Sequence, residues 1–447
     1  MLPYAYKKFV NQKVKNAFIL PTDFVTKRVE DELALLEGES KNNQSDRTGN
    51  YWRAQSLFTS LLAKRVNKNA VISGYGYNGN MLISYLLGLS EILPLPPFYY
   101  CDQCGHHELA PEAYLSGYAL PAKLCPSCNT KLRGLGIDIP LHENSLKKSS
   151  SVGLRVSKAF LKKNHLDVAG SFKSKIERRE HQSFSLTIGG ATVEFSESLE
   201  LSIIEKIVNE NSMNIIDIDY NDPFVFETIL VPNRFGLAFI ATSLFDKAYR
   251  LTHQPLKNFD DFIRLMGFYL GPSSNIEKME AYAKKHQGLD LVHLPTNSDD
   301  ANKRLLNYGI DNHHAGTIDN SVINKLIELT NDRENKEELR QLIDYLKITM
   351  YLERKSTVLV KALLVYRLAY LKTYHLDLFT HAIDQLGYSK VSQIELKTAI
   401  NQVKQIAKTA NRELGTEELI KEVGKKFVGY VNWQNETFRK RIEDLIR

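Results

Sequence analysis

The sequence predicts an α/β N-terminal half with an inserted zinc ribbon, followed by a mainly α-helical half. Three observations carry this reading. The only four cysteines in 447 residues fall as Cys101-x2-Cys104 and Cys125-x2-Cys128. The strand-like segments, at 70–72 and from Phe184 to Phe195 around Gly189-Gly190, all precede residue 200. From Leu199 onward helical periodicity dominates.

Taken in order, the first clear element is an amphipathic helix over Phe24–Leu36, with Val29, Leu33 and Leu36 at helical spacing. Glu39–Asn50 is rich in Asn, Ser, Asp and Gly and reads as a loop. Tyr51–Lys64 reads as a helix, followed by the strand at 70–72, the glycine-rich turn Ser73–Gly79 and an apolar helix to about Leu89. Pro94, Pro96 and Pro97 end that helix, because proline lacks the amide hydrogen a helix interior needs. Helices are then expected at about 199–209, 234–250, 258–268, 275–286, 299–308, 318–329, 334–352, 356–374, 392–411 and 416–446. Ser298-Asp299-Asp300 supplies an N-cap and acidic first-turn residues for one of them. The expected division is 1–100, a ribbon at 101–140, a basic connector at 141–182, a strand and hairpin region at 183–230, a helical domain at 231–390 and a C-terminal helical hairpin at 391–447.

The bulk numbers describe an ordinary globular chain, 43% hydrophobic and 25% charged, long enough for two or three domains. Net charge is 58 − 52 = +6, which permits a nucleic-acid partner without demanding one. Met1–Phe18 is polar and lysine-dotted, unlike a secretion signal. Met81–Leu89 is apolar but far shorter than the roughly 20 residues that span a bilayer. No membrane role is expected. With every cysteine assigned to metal, no disulfide remains, so a reducing cytoplasm is the expected setting.

Two CxxC turns each offer two thiolates from one tight loop, and two such knuckles complete a tetrahedron of soft ligands around zinc. With four protein ligands no coordination position stays open, so the role is structural. His106-His107 adjoin a knuckle and read as surface or supporting residues; His313-His314 read as a loop. Ser73–Gly79 resembles a phosphate-cradling loop but lacks the lysine of a Walker sequence.

Leu146–His181 holds ten cations in 36 residues against Asp167, Glu177 and Glu180. It is either a flexible connector or a basic arm that follows a nucleic-acid backbone. Its candidate phosphate contacts are Lys147, Lys148, Lys162, Lys163, Lys173, Lys175, Arg178 and Arg179. Asp217 and Asp219 stand at i and i+2, which on a strand would place two carboxylates on one face for a metal pair. Their neighbours Asn221, Asp222 and Pro223 suit a turn and helix start instead.

The stretch Ser73–Cys128 resembles the PolC-type DNA polymerase III alpha subunit. Gly76 and Gly79, Glu91, Pro94-Leu95-Pro96-Pro97, Tyr99 and the four cysteines follow that family's order without gaps. Gly136-Ile137-Asp138-Ile139-Pro140 looks like its exit from the ribbon. Val231-Pro232-Asn233-Arg234-Phe235-Gly236 looks like the start of its fingers region, and Lys355 with Tyr366–Lys372 like its late fingers helix. The resemblance implies a truncated, degenerate palm with a zinc ribbon, then fingers. It also implies DNA as partner, replication proteins as possible partners, and a DNA-facing row formed by Lys355, Arg367 and Lys372.

The family's chemistry needs two divalent metals, held by a D-x-D after the ribbon exit and by a third aspartate on a strand of the form Lys-Leu-Asp-Ile-Leu-Gly. Here Leu141–Ser151 offers His142 and Glu143 but no such pair. Ser185–Gly190 matches the third strand with Thr187 in the carboxylate's place. The arginine the family places in its glycine-rich loop falls at Tyr75. The expectation is a catalytically inactive paralogue that binds DNA or replication proteins, with structural zinc. The alternatives are an active polymerase using Asp217, Asp219 and magnesium, and a zinc-stabilised protein-interaction scaffold without DNA binding.

Overall fold

The computed structural model describes residues 4–41, 73–74, 80–141, 151–160, 175–179, 183–188, 191–215, 218–230, 242–252, 255–286, 290–310, 320–330, 336–349, 351–386, 393–409, 412–426 and 436–446. Several expectations therefore lie outside the described residues. They are the helix at 51–64, the strand at 70–72, most of the glycine-rich loop, His142 and Glu143, Lys147, Lys148, Lys162, Lys163, Lys173, Asp217, the fingers segment at 231–236 and His313-His314.

Two helices open the chain, α1 (Tyr4–Ala17) and α2 (Asp23–Lys41). Tyr6, Val10 and Val14 of α1 and Val25, Val29, Leu33 and Leu36 of α2 are buried in one core, the face the apolar spacing predicts. That core also takes α3 (Leu82–Leu86), β2 (Phe98–Tyr100) and the inner face of a larger sheet. β2 is the centre of the ribbon sheet, paired antiparallel with β3 (His107–Leu109) and β4 (Arg133–Leu135).

The larger sheet runs β1 (Ser73–Gly74), β5 (Ser151–Val156), β8 (Ala191–Glu197), β7 (Ser183–Ile188), β6 (Lys175–Arg179). β5 and β8 are parallel; the other pairs are antiparallel. β7 and β8 form the hairpin predicted around Gly189-Gly190. The expected basic connector is corrected in part: residues 151–156 and 175–179 are strands of this sheet. Strand residues alternate faces, and Leu154, Val156 and Phe195 turn inward to the core.

Helices follow: α4 (Leu199–Asn211), α5 (Pro223–Leu230), α6 (Thr242–Thr252), α7 (Phe259–Leu270), α8 (Ile276–Lys285), α9 (Ser298–Asn307), α10 (Asn320–Leu329), α11 (Lys336–Ile348), α12 (Lys355–Tyr374) and α13 (Leu376–Gln385). Asparagine caps replace the predicted serine at α9: Asn297 Oδ1 accepts from Asp300 N at 2.9 Å, and Ser298 is the first helical residue. Asn258 caps α7 in the same way. α5 and α13 are helices that periodicity alone did not delimit.

The organising element is α12. Apolar residues occupy nearly its whole circumference, the pattern of a helix buried on all sides. It packs against α4, α5, α7 and α13, and Val358 through Leu371 contribute most of its side chains to the largest core. Each buried leucine there contributes roughly 1.5–3 kcal/mol.

The C-terminal segment holds three helices, α14 (Gln393–Thr409), α15 (Thr416–Lys426) and α16 (Glu436–Ile446). The single long helix expected over 416–446 is thus two among the described residues. They share a separate small core of Ala399, Ile400, Val403, Leu419, Ile420, Val423 and Ile442.

Candidate metal centre and palm-like sheet

The four cysteines converge. Their sulfurs lie within 4.8 Å of one another, with Cys101 Sγ 3.4 Å from Cys128 Sγ and Cys104 Sγ 3.6 Å from Cys125 Sγ. Zinc–sulfur bonds of about 2.3 Å in a tetrahedron separate the sulfurs by slightly less than 4 Å, so the donor set fits the ion. The two knuckles share one backbone design. Gly105 N donates to Cys101 O and Cys101 N to His106 O; Asn129 N donates to Cys125 O and Cys125 N to Thr130 O. Gly105 (φ +75°) and Asn129 (φ +59°) adopt the left-handed turn that closes each loop.

Thr130 is a residue the sequence reading missed. Its hydroxyl lies 3.0 Å from Cys128 Sγ and 3.3 Å from Cys101 Sγ. That contact holds the Cys101 thiol down to about 6, favouring the thiolate a metal requires. No histidine joins the metal group among the described residues. His107 Nδ1 instead lies 3.3 Å from Gly105 O.

The ribbon's exit is pinned to the helical body. Asp260 accepts from Leu115 N at 2.7 Å and from Ser116 Oγ at 2.6 Å. Gly117, Gly134 and Gly136 let backbones meet: a Cβ on Gly134 would lie 2.1 Å from Gly117 O, and one on Gly136 2.5 Å from Pro96 O. Gly136 also has φ +85°.

The cations proposed for a DNA-facing row are corrected by burial. Lys355 is 1% exposed; its Nζ lies 2.9 Å from Asp300 Oδ1 and donates to Asp138 O at 2.9 Å. Its own amide donates to Asp299 Oδ2 at 2.8 Å. Arg367 is 2% exposed and pairs with Glu91 Oε2 at 2.6 Å. Buried charges require partners, and here the carboxylates have taken the place of phosphate. Lys372 is half-buried, and burial lowers its amine to about 8. Lys175, Arg178 and Arg179 lie on β6, the edge strand of the larger sheet.

Asp219 stands in a turn and not on a strand. Its Oδ1 accepts from Asn221 N at 2.9 Å and its carbonyl from the Tyr366 hydroxyl at 2.8 Å. Asp222 Oδ1 accepts from Phe224 N at 2.8 Å at the start of α5. The turn-and-helix reading is the one realised at Asp219.

The larger sheet also moves the match for the third aspartate. Thr187 is on β7, opposite Thr192 and one strand removed from β5. The neighbour of β5 is β8, where Glu194 stands opposite Gly153, and Ser151 stands opposite Thr192. Val193-Glu194-Phe195 has the apolar–acidic–apolar order of the family strand. The glycines after Ile188 drew the sequence match to the wrong arm of the hairpin. Gly153 and Glu194 occupy the face opposite the buried Leu154 and Phe195.

Together these features define a small palm-like sheet bearing a four-cysteine ribbon and backed by a helical body. No family model matches the chain. Among curated proteins it is similar to the DNA polymerase III PolC-type of Thermotoga petrophila, 34% identical over 119 residues, which cover 26% of this chain and 8% of that protein. It is 34% identical over 119 residues to the Thermotoga maritima protein of that name, and 32% over 120 residues to that of Streptococcus agalactiae. The chain is thus PolC-like in part, and the similarity spans under a tenth of those relatives' length. A four-cysteine cluster compatible with structural zinc accompanies it. Among the described residues no helix is long and apolar enough to cross a membrane.

Proposed function

We propose that this chain is a PolC-like paralogue without polymerase chemistry, which binds DNA or the replication proteins assembled on it and keeps zinc as a structural staple. The observation that carries the reading is the register of β5 and β8. Where the resemblance calls for a D-x-D beside a third aspartate, the paired positions hold Ser151 and Gly153 opposite Thr192 and Glu194. One carboxylate across that pair cannot hold two magnesium ions against nucleotide phosphates, which need several anionic oxygens between them. The basic residues of 146–181, with Lys147, Lys148, Lys162 and Lys163 foremost, supply the phosphate contacts.

The test is primer–template binding across salt, paired with primer extension in magnesium. Binding with a steep salt dependence and no extension is the expected result. Extension abolished by Asp219→Ala would overturn the reading in favour of an active polymerase. Absence of binding at low salt would leave a protein-interaction scaffold.

A further inference from the structure

A cleft of about 960 Å³ opens between the ribbon and the helical body, away from the β5–β8 face. Its size is that of a small-molecule site. Glu91 and Arg367 form its floor, Tyr118 and Tyr220 its wall, and Lys131 and Arg133 its ribbon side. The floor is an ion pair with one oxygen to spare. Arg367 Nη1 lies 2.6 Å from Glu91 Oε2, and Arg367 Nε donates to the Tyr220 hydroxyl at 3.0 Å. Glu91 Oε1 is buried with no hydrogen-bond partner. Such an atom calls for a donor, because an unsatisfied buried acceptor has lost its water without compensation.

The donor's chemistry is constrained from three sides. Arg367 beside the carboxylate disfavours a cationic ligand. The rings of Tyr118 and Tyr220, 4.8 Å apart between centroids and inclined at 64°, favour a flat ring against them. Lys131 is exposed, and Arg133, engaged by Asp102 at 2.9 Å, stays half-exposed beside it. Two cations on one side of the cleft favour an anionic group there.

The geometry points to a nucleotide site in this cleft, with an amino-bearing base directed to Glu91 and its phosphate at Lys131 and Arg133. Adenine, cytosine and guanine present an exocyclic amino group to the spare oxygen. Thymine offers a ring N–H flanked by two carbonyls that would face the carboxylate, so it binds less well. A free nucleotide and a base turned out of a single strand share this chemistry.

Titrating the zinc-loaded full chain with dAMP, dCMP, dGMP and dTMP by calorimetry tests the assignment. At least one amino-bearing nucleotide binds about tenfold or more tighter than dTMP, the scale on which a site built for one hydrogen bond rejects a ligand lacking it. Lys131→Ala weakens the nucleotide and leaves the nucleoside unchanged. Ala122→Trp, an exposed lining position, abolishes both. A short single-stranded oligonucleotide that binds tighter than its mononucleotide identifies a strand as the source of the base, and the reverse order identifies a free nucleotide. No binding of any of the four at millimolar concentration, equal binding of dTMP, or binding untouched by Ala122→Trp overturns the site. These outcomes are independent of primer–template binding, so either assignment can fail alone.

Discussion

Arg367 and Glu91, 276 residues apart, form an ion pair with N–O separation 2.6 Å that joins the central helix α12 to the segment leading into the ribbon. Both side chains are largely buried. Removing one partner of such a pair leaves an uncompensated charge. Arg367→Met is therefore expected to lower unfolding free energy by about 3–5 kcal/mol in urea titration. The double variant Arg367→Met with Glu91→Leu should recover much of that loss, because neither charge is then stranded.

The zinc knuckles should be necessary for the ribbon. A chelator, or Cys104→Ser, is expected to release zinc and unfold residues 101–140, read by a colorimetric zinc assay and by circular dichroism. Thr130→Val removes the hydroxyl that contacts two sulfurs. It should weaken zinc affinity by about tenfold, the scale of supporting hydrogen bonds at metal sites.

Glu32 gives a pH signature. It accepts from the amides of Leu82 at 2.8 Å and Ile83 at 2.9 Å and pairs with Arg28 at 2.7 Å. Burial raises its pKa above 4.5, although Arg28 and the two amides act in the opposite direction. The folded protein then holds this proton more tightly than the unfolded chain. The contribution is most favourable below pH 4.5 and declines as pH rises through the folded value. The difference in unfolding free energy, Glu32→Gln minus the unaltered protein, should therefore increase with pH across that window in denaturant titrations.

Phosphate contacts and buried cations separate in a salt titration. Replacing Lys147, Lys148, Lys162 and Lys163 with glutamine should flatten the plot of log affinity against log salt by roughly 0.9 per lost duplex contact. Lys355→Gln should leave that slope alone and lower stability instead, since its ammonium is spent on Asp300 and the Asp138 carbonyl.

Much of the fold was legible because its signals are local. The CxxC spacing specifies the ribbon, and the spacing of Val29, Leu33 and Leu36 specifies a buried face on α2. What resisted reading depends on contacts between distant residues. Lys355 and Arg367 look like members of a wet row in sequence; only packing brings Asp300 and Glu91 to them. Thr130 is unremarkable until two sulfurs approach its hydroxyl. Thr187 and Glu194 sit on two arms of one hairpin with similar composition. Strand order, which no local pattern encodes, decides which arm lies beside β5.

The three glycines at the ribbon's exit have an evolutionary consequence. At Gly117, Gly134 and Gly136 the neighbouring main chains approach too closely to admit even a methyl group. The ribbon is thus registered against the rest of the molecule by main-chain atoms, which every substitution elsewhere leaves in place. Its surface can drift in composition without shifting its seat, whereas a single alanine at any of these three positions would have to move the whole ribbon.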